Sequence, residues 1–385
     1  MLAELFGNCL KFSVFPVEWK KGIVVWLHKE GKDPLAASAY RPITLLSTLG
    51  KLLEKVIAQE INTFLDEKEI LSCRQFGFRK GRGTEGAIQA LVFEVENSQV
   101  FNNNTVCTAL DISGAFNNVS WSKLMSEMIR YKIPPALIRI IRDYLCDRRA
   151  RTNLHEITLE KVCPQGSVLG PLLWNLAYNH IIEKMLEQKM GIICYVDDTI
   201  LITRSPSLEK AKERVRTSTL LIAELLAVSG LKLNIEKTEI VIFKGGGTSR
   251  KGTVTETFEI CERKVESKLC MKYLGVYIDA LLTFNAHFEY LRKKCKVLIP
   301  KVTAVCQNTC GYSSVARKTM FQATVGAIFK YASSMFAHRC AANQKAIEEI
   351  DKLVLRTTGR LYRTVGMYPA SVISGKIPLE LDIIR

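Results

Sequence analysis

The chain of 385 residues is 48% apolar and 24% charged, which is ordinary for a globular protein, and its length allows two or three subdomains with separate cores. No stretch approaches the roughly 20 apolar residues of a membrane span, so the sequence predicts no membrane partner. The net charge of +16 is spread over several clusters and favours a polyanionic partner, with nucleic acid as the first candidate. An inert basic surface is the alternative.

The first hundred residues are predicted to mix strands and helices. An apolar run at 22–27 indicates a strand, and apolar residues at a helical period indicate a helix over 46–65. A basic, glycine-rich loop follows at 77–83. The twelve cysteines have no framework of close spacings, and no signal peptide begins the chain, so we expect reduced thiols in an intracellular compartment.

The middle of the chain alternates strands with helices. Strands are predicted at 105–111 and 238–243, and helices at 121–131, after Pro134, at 167–188 and at 207–228. A glycine-rich linker covers 245–252, a strand is expected at 272–279, and the pattern is helical from about 285. This order predicts an α+β core with helices on one face of its sheet, followed by a helical subdomain.

Two adjacent carboxylates, Asp197 and Asp198, lie between two apolar runs that indicate short buried strands. Like charges beside a core are costly unless a cation neutralises them, and hard Mg²⁺ prefers carboxylate oxygen. Asp111 ends another predicted strand, although an aspartate there is also common as a turn residue. Carboxylates from separate strands that hold two cations about 4 Å apart are typical of phosphoryl transfer.

Five segments in this order resemble the palm motifs of reverse transcriptases from non-LTR (LINE-type) retrotransposons: 110–116, 164–171, 195–198, 233–238 and 273–276. Segments that resemble the fingers motifs precede them at 40–43, 50–55 and 75–79. Residues 355–364 and 375–379 resemble the arthropod site-specific clade, some of whose members insert into ribosomal DNA or telomeric repeats. The resemblance covers essentially the whole chain.

The resemblance implies a right-hand polymerase of fingers, a ferredoxin-like palm and a helical thumb. The fingers would occupy 1–104, with a truncated N-terminus. The palm, with inserted fingers helices, would occupy 105–280, and the thumb with the start of a C-terminal helical region 281–385. The implied hairpin at 273–275 grips the primer terminus, and the basic thumb helix around Arg292 to Lys296 contacts the RNA–DNA hybrid. A solvated charged helix face is the alternative for that helix.

The resemblance assigns Asp111 and Asp197 as metal ligands and Asp198 as a weaker or supporting ligand, with Mg²⁺, or Mn²⁺ in its place, as the cofactor. Lys237 would protonate the leaving pyrophosphate, although a structural surface lysine is the competing interpretation. Val196 stands where many non-LTR members have alanine, a change that removes no ligand.

The nucleotide contacts implied by the resemblance come from both fingers and palm. Lys29 and Arg41 would grip the triphosphate, with Lys32 as the alternative to Lys29 because His28 replaces the usual proline. Phe116 would exclude a 2′-hydroxyl, unless it is simply packed in the core. Two further contacts are implied next to the palm helix: Gln165 would touch the incoming nucleotide, and Gly166 would let the template approach.

We therefore expect an RNA-directed DNA polymerase that extends a DNA 3′-hydroxyl on an RNA template with deoxynucleoside triphosphates and supports target-primed retrotransposition. The alternatives are a catalytically inactive nucleic-acid-binding remnant and an RNA-directed RNA polymerase, which Phe116 disfavours. We expect a fragment of a larger polyprotein with an endonuclease upstream. We also expect it in the nucleus during integration and in a cytoplasmic ribonucleoprotein before that.

Overall fold

The computed structural model of the chain describes residues 1–36, 39–114, 120–152, 155–159, 166–245, 253–307, 313–336, 344–359, 361–362, 364–379 and 381. The described strands are β1 (Lys21–His28), β2 (Tyr40–Leu46), β3 (Asn104–Ser113), β4 (Arg148–Arg151), β5 (Glu156–Leu159), β6 (Gly191–Tyr195), β7 (Asp198–Ser205), β8 (Lys232–Phe243), β9 (Thr257–Ile260), β10 (Arg263–Glu266), β11 (Cys270–Tyr273) and β12 (Val276–Asp279).

The described helices are α1 (Leu2–Phe12), α2 (Thr48–Glu67), α3 (Thr84–Val100), α4 (Trp121–Arg130), α5 (Pro135–Leu145), α6 (Gly170–Glu187), α7 (Leu208–Val228), α8 (Asn285–Gln307), α9 (Ser314–Phe321), α10 (Ala327–Lys330), α11 (Ser333–Phe336), α12 (Gln344–Gly359) and α13 (Met367–Ser374). A 3-10 turn (Val17–Lys20) precedes β1, and a π-helical turn (Gln322–Gly326) joins α9 to α10. None of these helices is both long and apolar enough to cross a membrane.

The first sheet has the strand order β2-β1-β4-β5. β1 and β2 form an antiparallel hairpin whose register runs from Gly22 opposite Leu46 to His28 opposite Tyr40. β4 lies parallel to β1, so residues from the predicted palm segment complete the sheet of the predicted fingers. Helix α2 begins at the N-cap Ser47 and buries one stripe at a helical spacing, which confirms the helix predicted at 46–65.

The second sheet is antiparallel throughout and has the strand order β6-β7-β3-β8. One face packs on α6 and α7, and the other packs on α3 and the C-terminal helices. The prediction of helices on a single face is therefore wrong. Consecutive residues such as Ile192 and Ile193 in β6, or Ile200 and Leu201 in β7, are all buried, and strands that are apolar on both faces require a cover on each.

Two predicted strands differ from the structure. β8 begins at Lys232 and not at the predicted 238. A register shift between Ala109 and Asp111 of β3 leaves residues 235–238 of β8 as a bulge, which interrupts the alternation of apolar residues on which the prediction depended. The strand predicted at 272–279 is the hairpin of β11 and β12. Its turn residues Leu274 and Gly275 both have positive φ, and leucine gives no turn signal.

The C-terminal helices pack against the second sheet through a cluster of aromatic side chains. The ring centroid of Phe336 lies 6.1 Å from that of Phe284, in a tilted arrangement, and 5.2 Å from that of Phe288, in an edge-on arrangement. This cluster is continuous with Ile193 and Ile200 of the sheet. The helical part is thus anchored to the same strands that carry the two adjacent carboxylates.

Candidate active site

The loop that joins β6 to β7 carries the adjacent carboxylates. Tyr195 pairs with Asp198, so Val196 and Asp197 form a two-residue turn and Asp198 is the first residue of β7. Val196 has φ +62°, the left-handed region that a β-branched residue rarely adopts, and its side chain is buried. Such a conformation costs about 1–3 kcal/mol and persists only where the surrounding structure holds it.

Gln75 supplies that hold from the segment before α3. Its side chain is 1% exposed. Its Oε1 accepts the Val196 backbone N–H at 3.0 Å, and its Nε2 donates to the Val196 carbonyl at 3.4 Å. On the same segment, a Cβ added to Gly77 would lie 2.5 Å from the Val196 nitrogen, so glycine is required there. The sequence shows the motif at 75–79 that contains Gln75, but no local pattern predicts the contact of Gln75 with Val196, which lies 121 residues away.

The third carboxylate reaches the same place through the register of the sheet. β3 pairs with β7 up to Leu110 opposite Thr199, so the next residue, Asp111, lies beside Asp198. The structure therefore brings the three predicted aspartates to one end of the sheet. The remaining residues of β3, β6 and β7 are mostly apolar and packed in the core. The three carboxylates therefore lie at the polar end of these strands.

Burial and the neighbouring negative charges raise the pKa values of Asp197 and Asp198. Desolvation by the protein raises the pKa of Asp197, and the charge of Asp111 adds to the increase. Asp198 still reaches solvent, but desolvation, with the charges of Asp197 and Asp111, raises its pKa to about 6. A raised pKa means that the ionised cluster is unfavourable as it stands, so a cation bound beside it would be stabilising.

Lys237 lies next to this cluster. Its Nζ is 3.3 Å from Asp111 Oδ2, and the two side chains are 65% and 40% exposed. Lys237 reaches Asp111 because it lies in the bulged segment 235–238 of β8, which Thr238 closes by donating its hydroxyl to the Asn234 carbonyl. An ion pair this exposed contributes about 0–1 kcal/mol to stability, so a divalent cation could displace the lysine from Asp111 at little cost.

Among the described residues, no group of three or more His, Cys, Asp or Glu side chains is arranged to hold a metal ion. The chemistry of the donors nevertheless fits a hard divalent cation, because all three are carboxylates and their own repulsion raises the pKa of two of them. The ammonium group of Lys237 already provides part of the neutralisation at Asp111.

Two of the predicted nucleotide contacts, Phe116 and Gln165, lie outside the described residues. Gly166 is described and has φ +113°. A Cβ on Gly166 would lie 2.6 Å from the Thr44 carbonyl oxygen of β2. The close approach that requires glycine is therefore made by a strand of the first sheet, and the predicted approach of a template strand to Gly166 remains a prediction.

The predicted phosphate-binding cations belong to the first sheet rather than to the carboxylate cluster. Arg41 is exposed in β2 opposite Leu27, and Lys29 follows the last pair of the hairpin, with its N–H donated to the Ala39 carbonyl. Lys32 lies in the same connection and is exposed. The structure places Lys29 and Arg41 at one end of the β1–β2 hairpin, whereas Asp111 and Asp197 belong to the second sheet.

The hairpin of β11 and β12 borders the carboxylates. A cavity of about 220 Å³ is lined by Asp198, Lys272, Tyr273, Leu274 and Gly275, among others. Tyr331, after α10, donates its hydroxyl to the Leu274 carbonyl at 2.6 Å and so fixes the turn from the helical side.

The basic face predicted on α8 is partly neutralised. Arg292 pairs with Glu289 and Glu349, and Lys293 pairs with Glu289. Lys294 instead lies 5.7 Å above the ring of Tyr290 and borders a cavity of about 540 Å³ between α8 and the β11–β12 turn. Fewer charges of this helix are available to a polyanion than the sequence suggests.

Comparison with known proteins places these observations in a family. The model of the family "Reverse transcriptase (RNA-dependent DNA polymerase)" matches residues 27–278. The 115 kDa protein in type-1 retrotransposable element R1DM of Drosophila melanogaster is 28% identical over 389 residues, covering 99% of this chain and 37% of that protein. The RNA-directed DNA polymerase from mobile element jockey of the same species is 26% identical, covering 78% of this chain and 33% of that protein.

Among solved structures, telomerase from Candida albicans in complex with a fragment of telomeric RNA is 11% identical and aligns with 99% of this chain and 65% of its own, with a TM-score of 0.49. The chain spans less than half the length of the curated relatives named above. The match to the family covers more than half of the chain and includes Asp111, Asp197 and Asp198. The chain belongs to the reverse transcriptase (RNA-dependent DNA polymerase) family, its relatives are retrotransposon proteins, and the resemblance of its ordered palm motifs is thereby confirmed.

Proposed function

We propose that this chain catalyses RNA-directed DNA synthesis, in which a deoxynucleotide is transferred from its triphosphate to a DNA 3′-hydroxyl on an RNA template. The observation that carries the proposal is the convergence of Asp111, Asp197 and Asp198 on one sheet end, in a chain of this family. Burial and the neighbouring charges raise the pKa values of Asp197 and Asp198, so a cation bound beside them would be stabilising.

Asp111 and Asp197, with Asp198 in support, are the residues we propose to hold divalent cations, Mg²⁺ or Mn²⁺. When bound, such cations lower the pKa of an attacking hydroxyl and neutralise charge on the leaving pyrophosphate. Gln75 keeps Val196 in its left-handed conformation, so the two carboxylates of the hairpin point from a fixed backbone. We propose Lys237 as the group that gives a proton to pyrophosphate, since its ammonium lies beside Asp111.

Nucleotide recognition is assigned to the fingers and palm residues that the family resemblance implies. Arg41 and Lys29 provide cations for the triphosphate, Gln165 contacts the nucleotide, and Phe116 excludes a 2′-hydroxyl. The β11–β12 hairpin borders the carboxylates at Asp198, which supports its proposed contact with the primer terminus. The net charge of +16 suits the RNA–DNA hybrid that the reaction produces.

Within a whole element, we propose that this activity serves target-primed retrotransposition, with an endonuclease elsewhere in the polyprotein and with integration in the nucleus. The names of the relatives, which are proteins of a retrotransposable element and of a mobile element, support this proposal. A nucleic-acid-binding remnant without activity is the second candidate, and the basic composition alone would suit it.

Primer extension decides between these candidates. Wild-type protein and Asp197→Ala are incubated with a DNA primer on an RNA template and Mg²⁺, with deoxynucleotides and then with ribonucleotides. We expect deoxynucleotide incorporation by the wild type alone. Binding that weakens steeply with salt but yields no incorporation would support the remnant, and equal use of ribonucleotides would contradict the proposed role of Phe116.

A further inference from the structure

A buried glutamate of α2, Glu54, binds the segment 167–169 that directly precedes α6. Glu54 is 1% exposed, and its Oε2 accepts hydrogen bonds from the Ser167 hydroxyl at 2.9 Å, the Val168 N–H at 2.6 Å and the Leu169 N–H at 3.0 Å. Ser167 Oγ in turn accepts the N–H of Gly170, the first residue of α6, at 2.9 Å. A carboxylate more than one hundred residues away in sequence thus binds the two backbone N–H groups that directly precede α6, and Ser167 links it to the first N–H group of the helix.

All three of these donors converge on one carboxylate oxygen of Glu54. Backbone N–H groups at a helix N-terminus carry partial positive charge, and hydrogen bonds to a charged acceptor are about twice as strong as neutral ones. The hydroxyl of Tyr144 lies 2.8 Å from Ser167 Oγ and closes the network from α5. Within the described part of the chain, no lysine or arginine forms an ion pair with Glu54, so the amides and hydroxyl provide its compensation.

The capped segment is also held on its other side. Gly166 packs so closely on the Thr44 carbonyl that no side chain fits between them. Thr44 lies on β2, three residues after Arg41, and α2 begins two residues after β2 ends. One continuous piece of chain, β2 and α2, therefore carries Arg41 and makes both contacts to residues 166–169.

We propose that Glu54 is a positioning residue that fixes residues 166–169 relative to Arg41 and so determines the affinity for the incoming deoxynucleotide. This inference rests on the proposed function, because Gly166 and Arg41 belong to a nucleotide and template site only in a polymerase. Glu54 touches no substrate itself; it acts through the start of α6.

The test is steady-state primer extension with Glu54→Gln, which keeps the size of the side chain and removes its charge. We expect KM for deoxynucleotide to rise about tenfold, with kcat and the Kd for primer–template changed less than about twofold. Ile57→Val is the matched control, since it weakens the packing of the same helix without touching the cap. Glu54→Asp, which is charged but too short for all three contacts, should lie between the wild type and Glu54→Gln.

Two results would overturn the inference. One is a rise in KM no larger than that of Ile57→Val; the other is a parallel fall of kcat, primer–template affinity and Tm in Glu54→Gln, which marks a merely structural glutamate. Amide hydrogen exchange of Val168 and Leu169 tests whether Glu54 fixes this segment, independently of any effect on nucleotide affinity. Faster exchange at Val168 and Leu169 in Glu54→Gln, but not in Ile57→Val, would show that Glu54 holds this segment in place. If the wild type incorporates no deoxynucleotide, the proposed function fails, and the nucleotide role of Glu54 fails with it.

Discussion

At the scale of single residues, the site depends on the left-handed backbone conformation of Val196, which a valine side chain disfavours. Val196 is β-branched, buried and left-handed, and it directly precedes Asp197. Gln75 satisfies both the N–H and the carbonyl of Val196, and these two bonds keep the turn from relaxing. The position of the carboxylates therefore depends on the side chain of Gln75 as well as on the pairing of β6 with β7.

Replacing Gln75 by leucine should impair the chemical step. Leucine fills the same space but leaves the Val196 backbone groups without partners, so the strained turn relaxes and the carboxylates move. We expect the rate of nucleotide addition to fall at least about tenfold while primer–template affinity is retained. Single-turnover kinetics measure this change. Gln99→Leu is the control, since Gln99 donates to the Lys244 carbonyl away from the carboxylates; an equal loss in both variants would contradict the role of Gln75.

At the scale of elements, those with an uninterrupted local pattern are predictable from sequence. β3 and α7 lie within a few residues of the predicted 105–111 and 207–228, because apolar periodicity defines them. The bulge at 235–238 in β8 and the turn that begins at Leu274 interrupt the strand pattern at places that apolar periodicity does not predict. The contacts of Gln75 and Glu54 join segments over one hundred residues apart, so no local pattern contains them.

Helix α8 carries a histidine that should make stability depend on pH. His287 is 1% exposed, and burial lowers its pKa to about 4 from the ordinary 6.5. In the pH window from 6.5 down to 4 the unfolded chain takes up a proton that the folded chain does not, so folding stability falls as pH falls, by at most about 3 kcal/mol from this group. The contribution is fully present above pH 6.5.

Urea unfolding at several pH values between 4 and 7 measures this effect. His287→Leu should lose part of the pH dependence of the wild type, whereas His155→Leu, at an exposed position, should keep it. A His287→Leu protein whose unfolding free energy has the same pH slope as the wild type would contradict a lowered pKa of His287 in the folded state.

At the scale of the whole molecule, the proposed site draws residues from two sheets and from the helical part. The carboxylates come from that sheet, the predicted phosphate contacts from the first sheet, and the β11–β12 hairpin is fixed by Tyr331 of the helical part. The right-hand architecture was predictable because the family motifs occur in order along the chain. The sharing of the first sheet between residues 21–46 and 148–159 was not, because β1 and β4 pair across more than one hundred residues.

The net charge predicts how the molecule binds nucleic acid. With +16 spread over several clusters, binding to an RNA–DNA hybrid should release counterions, and affinity should fall by roughly a hundredfold or more between 50 and 200 mM salt. Fluorescence anisotropy at several salt concentrations measures the slope. An affinity that does not change with salt would mean that the basic surface is not the binding surface.

The central claim is that Asp111 and Asp197 act as one catalytic unit. The direct test is the single-turnover rate of deoxynucleotide addition for Asp111→Asn, Asp197→Asn and the double variant, each saturated with primer, RNA template and Mg²⁺. Residues that act together are non-additive, so each single variant and the double variant should lose about the same factor, at least about a thousandfold. A double variant that loses the product of the two single losses, or a single variant with the wild-type rate, would contradict the account.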